Sequence, residues 1–175
     1  MVGTRNDTPG VGAGKQGQSG AEGLQIREGI AAYQATGAEV DQAYFLALLA
    51  ESYGQGKQED EGLTVLEEAL ALTDQQASVI WEAEIHRLKG ELLLARSAEN
   101  QVEAEACFHE ALAVSRRQQA KSLELRTATS LARLWQHQGK RQQAHDLLAP
   151  VYHWFTEGFD TPDLQEAKAL FDKLL

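Results

Sequence analysis

Two kinds of anchor residue recur along this chain at nearly constant distance. Tyr53, Leu93 and Trp135 lie 40 and 42 residues apart, while Ala69, Ala111 and Val151 lie 42 and 40 apart. From Ala69 to Leu93, and again from Ala111 to Trp135, the step is 24 residues. A period of about 20–50 residues marks an array of supersecondary units that cannot each bury an apolar face alone, so the units stack on one continuous core. The spacing therefore predicts a repeat protein before any single residue is interpreted. Such arrays bind more often than they catalyse, so the expectation is a surface and not a reaction.

The residues around the anchors read as helix. Ala, Leu, Glu and Gln dominate after residue 20, and the chain holds three prolines; these are good helix formers with few breakers. Residues 1–20 differ. Gly, Ser, Thr, Asn and Gln prevail there without an apolar period, which predicts a flexible tail. Over 21–37, Leu24, Ile26, Ile30 and Tyr33 make one apolar stripe ahead of Gly37, as expected of the second helix of a unit whose first helix is missing. Complete units are predicted at 40–74, 77–119 and 121–156. The middle one needs a longer inner turn, because Leu93 and Ala111 are 18 apart where Tyr53 and Ala69, and Trp135 and Val151, are 16 apart. Thr161-Pro162-Asp163 opens a last helix over 161–175, with Thr as N-cap and Pro at the first helical position. Its Gln165, Glu166, Lys168 and Asp172 suit the exposed side of a terminal cap. Pro150 removes a hydrogen bond to the Asp146 carbonyl and should kink the second helix of the last unit.

Charge and residue types narrow the function. With 26 acidic against 16 basic residues the net charge is −10, which disfavours nucleic acid and anionic membrane as partners. No apolar run approaches the ~20 residues of a membrane span, and no signal-peptide core opens the chain, so a cytoplasmic location is expected. Cys107 is the one cysteine. It sits between Ala106 and Phe108 and reads as an inert core thiol with no disulfide partner in the chain. His86, His109, His137, His145 and His153 lack metal-site spacing. Glu103, Glu105 and Glu110 read as solvated helix faces and not as catalytic carboxylates. Gly10-Val11-Gly12-Ala13-Gly14-Lys15 resembles part of a phosphate-binding loop, but Pro9 and Gln16 stand where the motif needs Gly and Ser or Thr, and no strand–loop–helix context surrounds it. No metal, no cofactor and no enzymatic activity are expected; a nucleotide-binding enzyme fragment is the least favoured reading.

Leu46-x2-Leu49-Ala50-x2-Tyr53 with Gly62-x3-Leu66-x2-Ala69, and Ala128-x2-Leu131-Ala132-x2-Trp135 with Ala144-x3-Leu148-x2-Val151, resemble the tetratricopeptide repeat. The middle unit keeps Gly90-x2-Leu93 and Ala104-x3-Phe108-x2-Ala111, with Ile85 and Leu88 expected to take the packing places that His86 and Lys89 occupy in the motif. The resemblance implies an all-α, right-handed α-solenoid of about three and a half helix pairs plus a capping helix. A HEAT-type repeat of about 40–47 residues fits the length but not the small–aromatic pattern. The extra length over about 34 residues is expected between one unit's second helix and the next unit's first. More narrowly, residues 23–175 resemble the C-terminal repeat region of large bacterial signalling proteins that carry a nucleotide-cyclase or kinase domain and a predicted ATPase module. That implies a severed regulatory or sensing tail, and no residue here inherits the upstream catalysis.

In this family the first helices line a concave groove. The buried stripe then points Tyr44, Ala47, Glu51 and Gln55, Glu84, Arg87 and Glu91, and Arg126, Thr129, Arg133 and His137 toward it. The groove is expected to grade from acidic or neutral to basic, and to take a protein or peptide partner whose carboxylate meets Arg126 and Arg133. The alternative is that Glu91 and these arginines pair across neighbouring helices. The Lys and Asn of chaperone-tail-binding members are absent, so that partner is not expected. A second reading is a homodimer through an exposed face of Leu24, Ile26, Ile30 and Tyr33.

Overall fold

Small residues at helix crossings and short, sharply reversed connections shape this chain. A computed structural model describes residues 25–33, 35, 42–76 and 80–175. Every regular element among the described residues is helical: α1 (25–33), α2 (Gln42–Gln55), α3 (Glu59–Gln76), α4 (Glu82–Arg96), α5 (Gln101–Arg117), α6 (Lys121–His137), α7 (Arg141–Tyr152) and α8 (Pro162–Leu174). Residues 1–20, Leu24 and Gly37 lie outside the described residues.

The α2–α3, α5–α6 and α6–α7 connections are three residues each and share one chemistry. Each carries a left-handed residue, Lys57 at φ 58°, Gln119 at φ 56° and Gly139 at φ 78°. Each is closed by the same amide-to-carbonyl bond, Gln58 to Tyr53 at 2.9 Å, Ala120 to Ser115 at 2.9 Å and Lys140 to Trp135 at 2.8 Å. This is the Schellman arrangement that satisfies the last carbonyls of a helix. Only glycine enters the left-handed region without a Cβ penalty. Gln119→Gly is therefore expected to stabilise by about 0.5–1 kcal/mol, the relief of strain exceeding the added freedom of the unfolded chain. The urea midpoint should rise with an unchanged slope; a lower midpoint would refute the argument.

The longer inner turn between α4 and α5 is a single 3-10 turn, Ala98–Asn100. Ser97 Oγ accepts from the Glu99 amide at 3.2 Å, and Asn100 Nδ2 donates back to the Leu93 carbonyl at 3.0 Å. One expectation about length needs correcting. At the α5–α6 connection, three residues long, the length beyond a 34-residue period lies instead in the 17-residue helices α5 and α6, while part of the α3–α4 connection lies outside the described residues.

Each helix from α2 to α8 packs on the next, and α2 also meets α4, α4 meets α6, and α6 meets α8. Among the described residues α3, α5 and α7 make no such contacts with one another. The even-numbered helices thus form one layer and α3, α5 and α7 a second. Between the layers lie Leu49, Leu66, Ile85, Leu93, Phe108, Leu125, Leu131 and Leu148, all fully buried. Ala50, Ala69, Ala104, Ala111, Ala128, Ala132 and Ala144 are equally buried, and side chains this small let helix axes approach to about 8–10 Å. Ile85 and Leu88 are buried while His86 and Lys89 are half-buried, as the displaced stripe predicts. At Gly90 the helices meet closely: a Cβ there would lie 2.6 Å from Cε1 of Phe108 and 2.9 Å from two more ring carbons.

Two further expectations change. Ile30 is buried, and Ile26 and Tyr33 are half-buried against α2 and the core. Tyr33 meets Phe45 edge-on at 5.2 Å, and Arg27 Nε donates to the Tyr53 hydroxyl at 2.8 Å. These pairs set α1 antiparallel to α2, with its apolar stripe turned inward. The face of Ile26, Ile30 and Tyr33 expected to be exposed for self-association is therefore largely covered by α2. Thr161 starts α8, but its hydroxyl donates to the Gly158 carbonyl at 2.7 Å and does not cap the helix. Pro150 lies inside the last turn of α7, where it has no amide to donate to the Asp146 carbonyl.

At the α5–α6 reversal Glu124 is 4% exposed and accepts from Arg116 Nε at 2.9 Å and Lys121 Nζ at 2.6 Å. Burial, the largest single influence, pushes its carboxyl pKa up, but the hydrogen bonds and charges of Lys121 and Arg116 together bring it below the usual range. A depressed folded pKa gives stability that is present above the unfolded pKa, about 4.3 for Glu, and is lost as pH falls through the folded value. Glu124→Gln should cost about 1–2 kcal/mol at pH 7, and the difference from wild type should shrink as the medium is acidified below about pH 4. Denaturant titrations across that window check it; a pH-independent difference would count against it.

Candidate interaction wall

The even-helix layer carries the residues singled out from the sequence. Glu84 and Arg126, like Glu91 and Arg133, are 42 residues apart, so the chain's own spacing sets them level on the neighbouring helices α4 and α6. The structure joins both pairs. Arg126 Nη1 lies 2.9 Å from Glu84 Oε1, and Arg133 Nη1 lies 3.8 Å from Glu91 Oε1. Within α4, Arg87 binds Glu84 through two bonds of 2.9 and 2.8 Å and reaches Glu91 at 3.5 Å. Ser130 of α6 donates to Glu91 at 2.5 Å. From α8, Asp163 lies 3.8 Å from Arg126, and Glu166 is hydrogen-bonded to Arg133.

The result is a ladder across three helices in which every guanidinium has two carboxylates. Its centre is dry, with Glu84 7% and Arg87 8% exposed. Burial, the largest single influence, lowers the Arg87 pKa, yet the Glu84 hydrogen bond and the charges of Glu84, Glu91 and Glu51 outweigh it and leave the value raised. Arg87 therefore stays charged inside the layer.

Above the ladder lies a hollow of about 180 Å³ lined by Glu51, Arg87, Glu91, Arg126, Arg133, Asp163 and Glu166 with two hydroxyl side chains. Two more hollows adjoin it. One of about 330 Å³ borders Glu51, Gln55, Arg87 and Glu91, and one of about 380 Å³ borders Glu91, Arg133 and His137. Glu91 touches all three, so the wall is continuous.

Glu51, Gln55, Arg87, Glu91, Arg126, Thr129, Arg133 and His137 thus share one surface, with Glu84 beneath it. Tyr44 stands apart, its ring 4.4 Å from that of Trp81. Ala47 is buried, and the Thr129 hydroxyl donates to the Leu125 carbonyl of its own helix at 2.8 Å. The expected gradient from acidic to basic is absent. Asp163 and Glu166 neutralise the arginine end, and around the smallest hollow four carboxylates face three guanidiniums. Asp163, Glu166 and Ser130 were not legible as wall residues. Glu166 reads as the outer face of a cap, and nothing local says which flank of α8 meets α6.

The remaining candidates fall elsewhere. Burial pushes the half-buried Cys107 thiol up, Glu103 adds to this and Lys89 opposes it, so the reactive thiolate is disfavoured. Glu105 is not a solvated face residue: it accepts from Trp135 Nε1 at 2.7 Å and lies 3.7 Å from Lys140. Glu103 and Glu110 are exposed. His145 and His153 flank Phe171 at 5.0 and 5.4 Å. Among the described residues no group of three His, Cys, Asp or Glu side chains is placed to hold a metal ion, and no helix is long and apolar enough to cross a membrane. The phosphate-loop-like segment lies outside the described residues.

Fold and site together define an all-helical, two-layered protein whose even-helix layer presents an ion-paired polar wall. No protein-family model matches the chain, and no curated protein is similar to it.

Proposed function

We propose that the chain is a non-catalytic protein–protein interaction module, a short right-handed α-solenoid of tetratricopeptide-like repeats that takes a peptide or a neighbouring domain along its even-helix wall. The observation that carries this reading is the continuity of the wall. α2, α4, α6 and α8 stack side by side, and three adjoining hollows of about 180–380 Å³ follow one another across them. An extended segment laid across stacked helices meets side chains from each. The likeness of residues 23–175 to the C-terminal repeats of bacterial cyclase and ATPase signalling proteins supports a cytoplasmic regulatory or sensing role.

A photo-crosslinking residue placed at Gln55 or His137 on the wall, compared with one at Glu110 on α5, tests the proposal in lysate of the source cells. Crosslinks to a discrete protein from the wall positions and not from α5 are expected. Capture from α5 alone, or from none of the three, would overturn it.

A further inference from the structure

We infer that the wall recognises a cationic segment, a partner stretch bearing lysine or arginine, and not the acidic peptide that Arg126 and Arg133 suggest in isolation. The inference rests on the interaction-module reading and specifies its partner. Each guanidinium of the wall is already held by two carboxylates: Arg87 by Glu84 and Glu91, Arg126 by Glu84 and Asp163, Arg133 by Glu91 and Glu166. An acidic ligand entering the hollow would also meet the four carboxylates that line it beside these guanidiniums.

The carboxylates at the two ends of the smallest hollow are in the opposite condition. Glu51, on the α2 side, is exposed and lies within 4 Å of no cationic group among the described residues, although its charge acts on Arg87. Across the hollow, Asp163 has one arginine at 3.8 Å and Glu166 has one arginine, with side chains 45% and 59% exposed. An ionised carboxylate offers about four acceptor positions, so most of theirs remain open to water. A guanidinium or ammonium entering the hollow would find acceptors on both flanks without displacing an existing pair. Electrostatic complementarity of this kind sets which partner binds more than how tightly. The net charge of −10 also favours encounter with a cation.

Fluorescence anisotropy with two short labelled peptides tests this on the full chain, one rich in arginine and its counterpart with glutamate at the same places. The arginine peptide should bind saturably, and the triple variant Glu51→Gln, Asp163→Asn, Glu166→Gln should weaken it by about tenfold. The charge-matched triple variant Glu103→Gln, Glu110→Gln, Glu157→Gln, at exposed positions off the wall, should leave binding unchanged. Because Asp163 and Glu166 also brace α6, Glu51→Gln alone is the cleaner variant, and about a twofold to threefold loss is expected from it. Equal weakening by the two triple variants, tighter binding of the glutamate peptide, or no saturable binding of the arginine peptide would overturn the inference. Wall crosslinks to a partner whose capture is indifferent to Glu51→Gln would remove the cationic assignment while leaving the interaction module standing.

Discussion

Phe108→Ala is expected to destabilise the protein by about 3–5 kcal/mol, and Gly90→Ala, unfavourable in the wild type, should become favourable in that background. Phe108 is the largest of the fully buried side chains. Its ring occupies the place where a side chain at position 90 would begin, with three ring carbons 2.6 to 2.9 Å from an ideal Cβ. With the ring present, an alanine at 90 must move a packed aromatic side chain, at a cost of about 1–3 kcal/mol. That outweighs the gain of about 1 kcal/mol from replacing glycine within a helix. Once the ring is gone only the gain remains, together with partial filling of the cavity. Denaturant midpoints of the two single variants and the double variant form a cycle with a coupling of about 1–3 kcal/mol. Additive effects would mean that α4 and α5 do not meet through this contact.

The second large effect concerns Glu84. Glu84→Leu leaves the buried guanidinium of Arg87 with only Glu91 at 3.5 Å, and removing one partner of a buried pair costs about 3–5 kcal/mol. Adding Arg87→Met to that variant should restore most of the stability, because an apolar pair of similar volume neither needs hydration nor leaves a charge behind. Arg126 keeps Asp163 and remains partly solvated in both variants. The destabilisation of the single variant should also persist at high salt, since buried pairs are poorly screened. Thermal or urea unfolding of the single and double variants decides the matter: a double variant as unstable as the sum of its parts would refute the account.

The two experiments probe different layers of one argument. The Gly90–Phe108 contact tests how the layers are held together. The Glu84–Arg87 pair tests whether the polar wall is a rigid platform, which a binding surface assembled from separate helices requires if its side chains are to keep their places.

Much of the fold was legible in the sequence because it depends on local spacing. Leu93, Ala69, Ala111 and Val151 are buried as the anchors predict, and Tyr53 and Trp135 are half-buried. Helical periodicity also explains why Ile85 and Leu88 take the core places beside His86 and Lys89. The level placement of Glu84 with Arg126, and of Glu91 with Arg133, was legible too, since 42 residues separate each pair. What the sequence could not decide is which surface each exposed side chain meets after the helices cross. The stripe of Ile26, Ile30 and Tyr33 reads as apolar from spacing alone, and only α2 lying antiparallel to it determines that it is covered. Glu166 reads as polar from its residue type, and only the seating of α8 on α6 turns it toward Arg133. Buried stripes follow from a period along one helix, whereas the partners of a charged side chain follow from the distance and angle between helices, which are settled only when all of them pack.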